Sequence, residues 1–188
     1  APIFVSMPAK TIKRINYGLV GLIVLCNGFL LFGFFKPVVE PFVKKTFDPV
    51  KHIDAGNPLP KENTLLIPSI QLETPIKTGL GPGSLNNAAW LRPAGSTPDE
   101  GGNTVLAGHR FAYLVKPTFY NLNRVRTGDV VQIVWEGRVY DYRVSEIKET
   151  EPNAVEIEDQ NFGERLTIYT CTPLWSSARR LVVIAEPN

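Results

Sequence analysis

Residues 130–147 read VVQIVWEGRVYDYRVSEI, and this stretch decides the fold class. The runs on either side of Glu136-Gly137 are rich in β-branched and aromatic residues and alternate with polar ones, while Glu136-Gly137 itself is a tight two-residue turn. The stretch is therefore a β-hairpin. Working outward, Thr127-Gly128-Asp129 is a second turn, and FYNLNRVRTGD (119–129) is a short helical or looped approach to it. RLTIYTC (165–171) and RLVVIAE (180–186) form a further strand pair joined by TPLWSSAR, and NTVLAG (103–108) is a strand ending at a glycine. TLLIPSI (64–70) and QLETPI (71–76) are short apolar runs in which Pro68 and Pro75 suit sheet edges or bulges. GLGPGSLNN (79–87) and AAWLRPAGSTPDEGG (88–102) read as turns. With 16 prolines and 15 glycines in 188 residues, little continuous helix is expected. The soluble part is predicted to be mostly β, a closed or nearly closed barrel of about 7–8 strands with short helices.

Ahead of the barrel, residues 17–35 (YGLVGLIVLCNGFLLFGFF) carry no charge. About 20 apolar residues are needed to cross a ~30 Å hydrocarbon core as helix, so one N-terminal transmembrane helix embedded in lipid is expected. Lys10, Lys13 and Arg14 lie on a short preceding arm that is easily retained. The expected order is a cytoplasmic arm (1–16), the membrane helix (17–35), a proline-rich linker (36–61) and an extracellular barrel (62–188). A cleaved signal peptide is the alternative, although the apolar run is long for one and no A-x-A site follows. The linker is expected to carry a short helix near Val38–Phe47 and a solvated His52. Twenty Lys+Arg against eighteen Asp+Glu give a net charge of +2, which argues against a nucleic-acid partner.

The two cysteines, Cys26 and Cys171, lie too far apart in kind to pair, one in the apolar run and one at a strand end. There is no C-x-x-C, and Cys and His are too few for a zinc site, so no metal and no cofactor are expected. An unpaired cysteine outside the membrane is either buried and inert or a reactive thiol. Three residues bear on that choice. His109 follows TVLAG, Cys171 follows LTIYT, and Arg180 opens RLVVIAE. His109 and Cys171 are 62 positions apart, but neighbouring strands bring their ends together; Arg180 lies nine beyond Cys171, close enough for a loop to fold it back beside the thiol. A nearby cation favours thiolate, histidine moves protons near neutral pH, and a guanidinium presents fixed donors to an oxyanion. The bland readings are a small core cysteine, a turn-capping histidine and a rim arginine. Spacing alone leaves both sets open.

NTVLAGHR (103–110), LTIYTCTP (166–173) and ARRLVV (178–183) resemble the signature segments of the sortases, cysteine transpeptidases that anchor surface proteins. The resemblance extends over LLIPSIQLETPI, LNNAAWLRPAGSTPDEGGN, the FYNLNRVRTGDVV region and the hairpin, covering about 62–186 in order. It implies that Cys171 attacks the sorting signal and that His109 serves as general acid and then base. Arg180 would hold substrate and the oxyanion, and Thr170 would line the substrate groove. Arg180 is preferred to Arg179 because it directly precedes LVVI. The implied substrates are secreted proteins with an LPxTG-like C-terminal signal, cut between Thr and Gly. The implied acceptor is an amine, on a cell-wall precursor or a pilin lysine, and the implied location is the bacterial cell membrane.

Departures from the family pattern narrow this. GLGPGS lacks the acidic cluster of calcium-stimulated members. Asp48-Pro49 is followed by Val50 where the lid of pilus-building members has an aromatic residue, and no second, C-terminal membrane helix of the kind those members usually carry is expected. An anchoring enzyme is therefore expected rather than a pilin polymerase. The rival readings are a non-catalytic, membrane-tethered β-barrel that binds peptide or wall polymer, and a thiol peptidase that releases its acyl group to water.

Overall fold

The computed structural model describes residues 16–29, 53, 58–112, 115, 117–160 and 163–188. The hairpin at its centre forms as the alternation predicts, with Glu136 at φ 48° and Gly137 at φ 75°. Two successive positive φ values are the mirror-image turn whose twist matches that of paired strands. Eight strands are present: β1 (Thr64–Ile67), β2 (Leu72–Lys77), β3 (Ala89–Leu91), β4 (Asn103–Ala107), β5 (Val130–Trp135), β6 (Arg138–Thr150), β7 (Arg165–Thr172) and β8 (Arg179–Pro187). They close into a barrel in the order β1-β2-β3-β4-β7-β8-β6-β5. The β2–β3 and β4–β7 pairs are parallel.

Two details differ from the sequence reading. β3 lies inside the stretch read as turn, because three residues bounded by Ala88 and Arg92-Pro93 are too few to display an alternation. Pro68 does not sit in a strand; it opens a 3-10 turn, Pro68–Ile70, closed by Gln71 at φ 54°.

The barrel interior takes every second side chain of each wall. Leu166 and Ile168 of β7 point in with Leu181, Val183 and Ala185 of β8, joining Leu106, Phe119, Ile133 and Tyr142 in one core. Full burial of each large apolar side chain stabilises by about 1.5–3 kcal/mol. The alternate positions of β8, Val182 and Ile184, point outward and are buried by Ile157, with Ala154 and Tyr169 packed alongside. Ile157 belongs to a 3-10 turn, Val155–Glu158, in the connection between β6 and β7. A fully buried Asn103 holds that connection down, its Nδ2 donating to the carbonyls of Ile157 and Asp159, each at 3.0 Å. Thr167 Oγ1 donates to Asn103 Oδ1 at 2.7 Å, and Gln160 Oε1 accepts from the Asn103 backbone N–H at 2.8 Å.

One residue of the linker is bound to the barrel. Ile53 N–H donates to Gln132 Oε1 at 2.8 Å, and Gln132 Nε2 reaches back to the Ile53 carbonyl at 3.4 Å.

The chain divides into two compact units, Ala1–Val43 and Lys44–Asn188. In the first, residues 16–29 are helical and exposed throughout. Among the described residues no helix is long and apolar enough to cross a membrane. The remainder of the expected 17–35 span, the helix near Val38–Phe47, Asp48-Pro49 and His52 lie outside the described residues.

Candidate active site

The parallel pairing of β4 with β7 aligns Asn103 with Arg165 and Ala107 with Tyr169. Side-chain bonds carry the same offset past the end of β4. Thr170 Oγ1 donates to the Gly108 carbonyl at 2.7 Å, and Arg110 Nη1 donates to Thr172 Oγ1 at 2.9 Å, each spanning 62 positions. His109 and Cys171 share that offset and lie between these two bonds. Gly108 and Arg110 turn inward: a Cβ on Gly108 would stand 2.4 Å from the Phe119 ring, and Arg110 is buried. His109, between them, turns outward, as Cys171 does between the buried Thr170 and Thr172. Phe119 N–H donates to the His109 carbonyl at 2.8 Å and fixes the loop behind it.

The antiparallel β7–β8 ladder pairs Cys171 with Arg180 and Thr172 with Arg179. Paired residues share a face, so Arg180 accompanies the thiol on the outer wall. Arg180 Nη1 donates to the carbonyls of Ser177 and Arg179, at 3.1 and 3.2 Å. Arg179 turns instead to Glu149, 3.7 Å away. Cys171 is half-buried and free of disulfide. Thr170 is only 2 % exposed and its hydroxyl proton is committed to Gly108, so it braces the histidine loop while also bordering the cleft.

His109, Thr170, Cys171 and Arg180 line one cleft of about 370 Å³ on the outer wall. Ala107 and Tyr169 form its floor, and the Val155–Glu158 turn forms a side. All three groups that acyl transfer asks for are present there: a thiol, a proton carrier and a fixed donor of hydrogen bonds.

The sequence reading did not find the polar cluster on the opposite side of the cleft. Glu158 Oε1 accepts from Tyr169 OH at 2.7 Å and from Arg92 Nε at 2.8 Å, and the Arg92 guanidinium lies 4.3 Å from the Trp90 ring centroid. Burial, reinforced by the Glu158 carboxylate, pushes the Tyr169 phenol above its usual range. Burial alone would lower Arg92; its bond to Glu158 and the adjoining charges outweigh that and raise it. Tyr169 was accessible from sequence, since it stands two positions before Cys171 on a strand and so shares its face. Glu158 carried no such signal.

The description Sortase domain matches residues 65–188. Sortase A of Streptococcus agalactiae serotype III (strain NEM316) is 30% identical over 132 residues, 68% of this chain and 53% of that protein. The chain spans about half the length of the curated relatives it matches, 53% and 56% for two sortases A. Among solved structures, Sortase C1 of GBS Pilus Island 1 superposes with a TM-score of 0.62 at 30% identity, covering 67% of this chain and 63% of that one. Sortase C-1 from Actinomyces oris gives 0.62 at 26% identity, covering 81% and 85%. A closed eight-stranded barrel, a strand-end Gly-His and Thr-Cys in one parallel register, and these matches together place the chain in the sortase family.

Proposed function

We propose that this protein is a membrane-anchored cysteine transpeptidase of the bacterial surface. It acts on secreted proteins bearing an LPxTG-like C-terminal signal. Cys171 Sγ attacks the threonine carbonyl, and Arg180 donates to the oxygen as negative charge develops there. The Thr–Gly bond then breaks, His109 gives its proton to the leaving amine, and a thioacyl enzyme remains. An incoming amine attacks that thioester, His109 takes a proton from it, and Cys171 is released as a new amide forms. The acceptor is the amine of a cell-wall precursor or of a pilin lysine; one structural neighbour is named for a pilus island. Thr170 serves the site as the brace under His109 and as part of the groove.

The observation that carries this reading is the 62-position offset that gives His109 and Cys171 a common place in the β4–β7 register, with Arg180 paired to the cysteine. Membrane attachment is supported by the character of helix 16–29. Leu19, Val20, Leu22, Ile23, Val24 and Leu25 are all more than half exposed, and a helix that is apolar all round calls for lipid or protein around it. On this reading residues 1–16 are cytoplasmic, 17–35 span the membrane, 36–61 are a linker and 62–188 are catalytic.

The test is mass spectrometry of the products from LPxTG peptides with and without an added oligoglycine amine. A ligated product that vanishes in Cys171→Ala, with the barrel still folded, is expected. Hydrolysis alone in the presence of amine would make the protein a thiol peptidase. No turnover, with no labelling of Cys171 by thiol reagents, would leave a binding module.

A further inference from the structure

We infer that Arg92 reads the residue beside the scissile threonine, the x of the LPxTG-like signal, and favours a side chain with an oxygen acceptor there. This rests on the transpeptidase reading. The outer wall of the barrel is organised in rows across strands. Cys171 and Arg180 form one row, and His109 stands at the offset from Cys171 that β4 keeps from β7. Trp90, Ala107, Tyr169 and Val182 form the next, through successive pairs of β3–β4, β4–β7 and β7–β8. Two residues of strand separate neighbouring rows, about 6.6 Å.

Arg92 follows β3 and lines the cleft. Its guanidinium is stacked on Trp90, which places it over the row adjoining the nucleophile. Among the described residues its Nε alone is engaged in a hydrogen bond, to Glu158 at 2.8 Å. The Nη donors are left for a ligand, and the side chain retains 27% of its exposure. When the threonine carbonyl carbon is at Sγ of Cys171, the Cα of x lies ~3.8 Å from the threonine Cα. Arg92 shares Glu158 Oε1 with the Tyr169 hydroxyl, one row from Cys171 on the same strand, and a glutamate or glutamine at x extends an oxygen toward that cluster. The Arg92–Glu158 pair has no net charge, so recognition comes chiefly from directed hydrogen bonds. Glutamine should then serve nearly as well as glutamate.

The experiment uses the full chain and four peptides with Glu, Gln, Leu or Lys at x. It reads acylation of Cys171 by intact mass, and kcat and KM for each peptide. The wild type should prefer Glu and Gln over Leu by about tenfold in kcat/KM, with Lys lowest. Arg92→Ala should collapse that ratio to within about twofold, through KM rather than kcat. Arg92→Lys should lose most of the preference for both Glu and Gln, since a point charge already neutralised by Glu158 replaces a fork. Glu158→Gln leaves oxygen acceptors for Arg92 and Tyr169 but removes the neutralising charge, so Glu should gain over Gln by about fivefold. An Arg92→Ala ratio equal to wild type, or equal losses of kcat on all four peptides, would overturn the inference. Acylation of the wild type with no preference at x would overturn it alone. Absence of any acylated Cys171 would overturn the transpeptidase reading with it.

Discussion

Cys171 and Arg180 face each other across the β7–β8 ladder, one position from the Thr172–Arg179 pair. This single step of register gives two adjacent arginines different surroundings. Arg180 stays on the thiol's side of the wall, whereas Arg179 lies against Glu149 with nearly half of its side chain exposed. On the proposed mechanism, Arg180→Ala should lower kcat/KM by about 10²–10³-fold, as expected for loss of an oxyanion donor. Arg179→Ala should stay within about threefold of wild type, because an exposed ion pair contributes little. Steady-state kinetics on one peptide decide it, and equal losses in the two variants would mean the arginine has been misassigned.

Gly108 has no room for a side chain, since three carbons of the Phe119 ring lie within 2.9 Å of where its Cβ would be. Phe119 is fully buried and cannot simply swing away. Gly108→Ala should destabilise by roughly 1–3 kcal/mol in urea denaturation. Adding Phe119→Leu should recover part of that loss, because the smaller side chain clears the space. Simple additivity in the double variant would refute a direct clash.

Asn103 anchors the side of the cleft formed by the β6–β7 connection. Replacing it with alanine strands the Ile157 and Asp159 carbonyls and the Thr167 hydroxyl in buried surroundings. A loss of roughly 2–4 kcal/mol is expected. Hydrogen exchange should reveal faster opening of 155–160 than of the β5–β6 hairpin. Uniform acceleration would mean that Asn103 supports the whole barrel rather than this wall.

The alkaline limb of stability has a definite sign. Burial and the Glu158 carboxylate raise Tyr169 above its ordinary value, and burial carries Tyr142 up to about 12. Both phenols favour the folded state in their neutral form. Their contribution is complete below the unfolded value near ~10 and fades as pH climbs through the raised folded values. Tyr169→Phe should therefore flatten the fall in Tm above about pH 10 relative to wild type. An unchanged slope would show that the phenol titrates normally.

Much of the barrel was legible because its longer strands alternate. β5 and β6 announce themselves through Val131, Ile133 and Trp135 on one face and through the Glu136-Gly137 turn. β3 did not, since three buried residues have no measurable period. His109, Cys171 and Arg180 were visible as polar residues at the ends of apolar strands, whereas the register that aligns β4 with β7 is a property of the paired strands. The far side of the cleft was hidden for a different reason. The Arg92–Glu158 pair and the bonds that Asn103 makes to Ile157 and Asp159 span more than 50 positions, and no local pattern encodes such pairing.

Gln132 grips the backbone of Ile53 from β5, and β5 lies opposite β4 in the ring of strands. Tension arriving along the chain from upstream of Ile53 would thus enter the barrel at its back. On the proposed function, strands β4 and β7 with the groups assigned to the reaction are kept off that line of force, so a pull from an upstream anchor need not distort them.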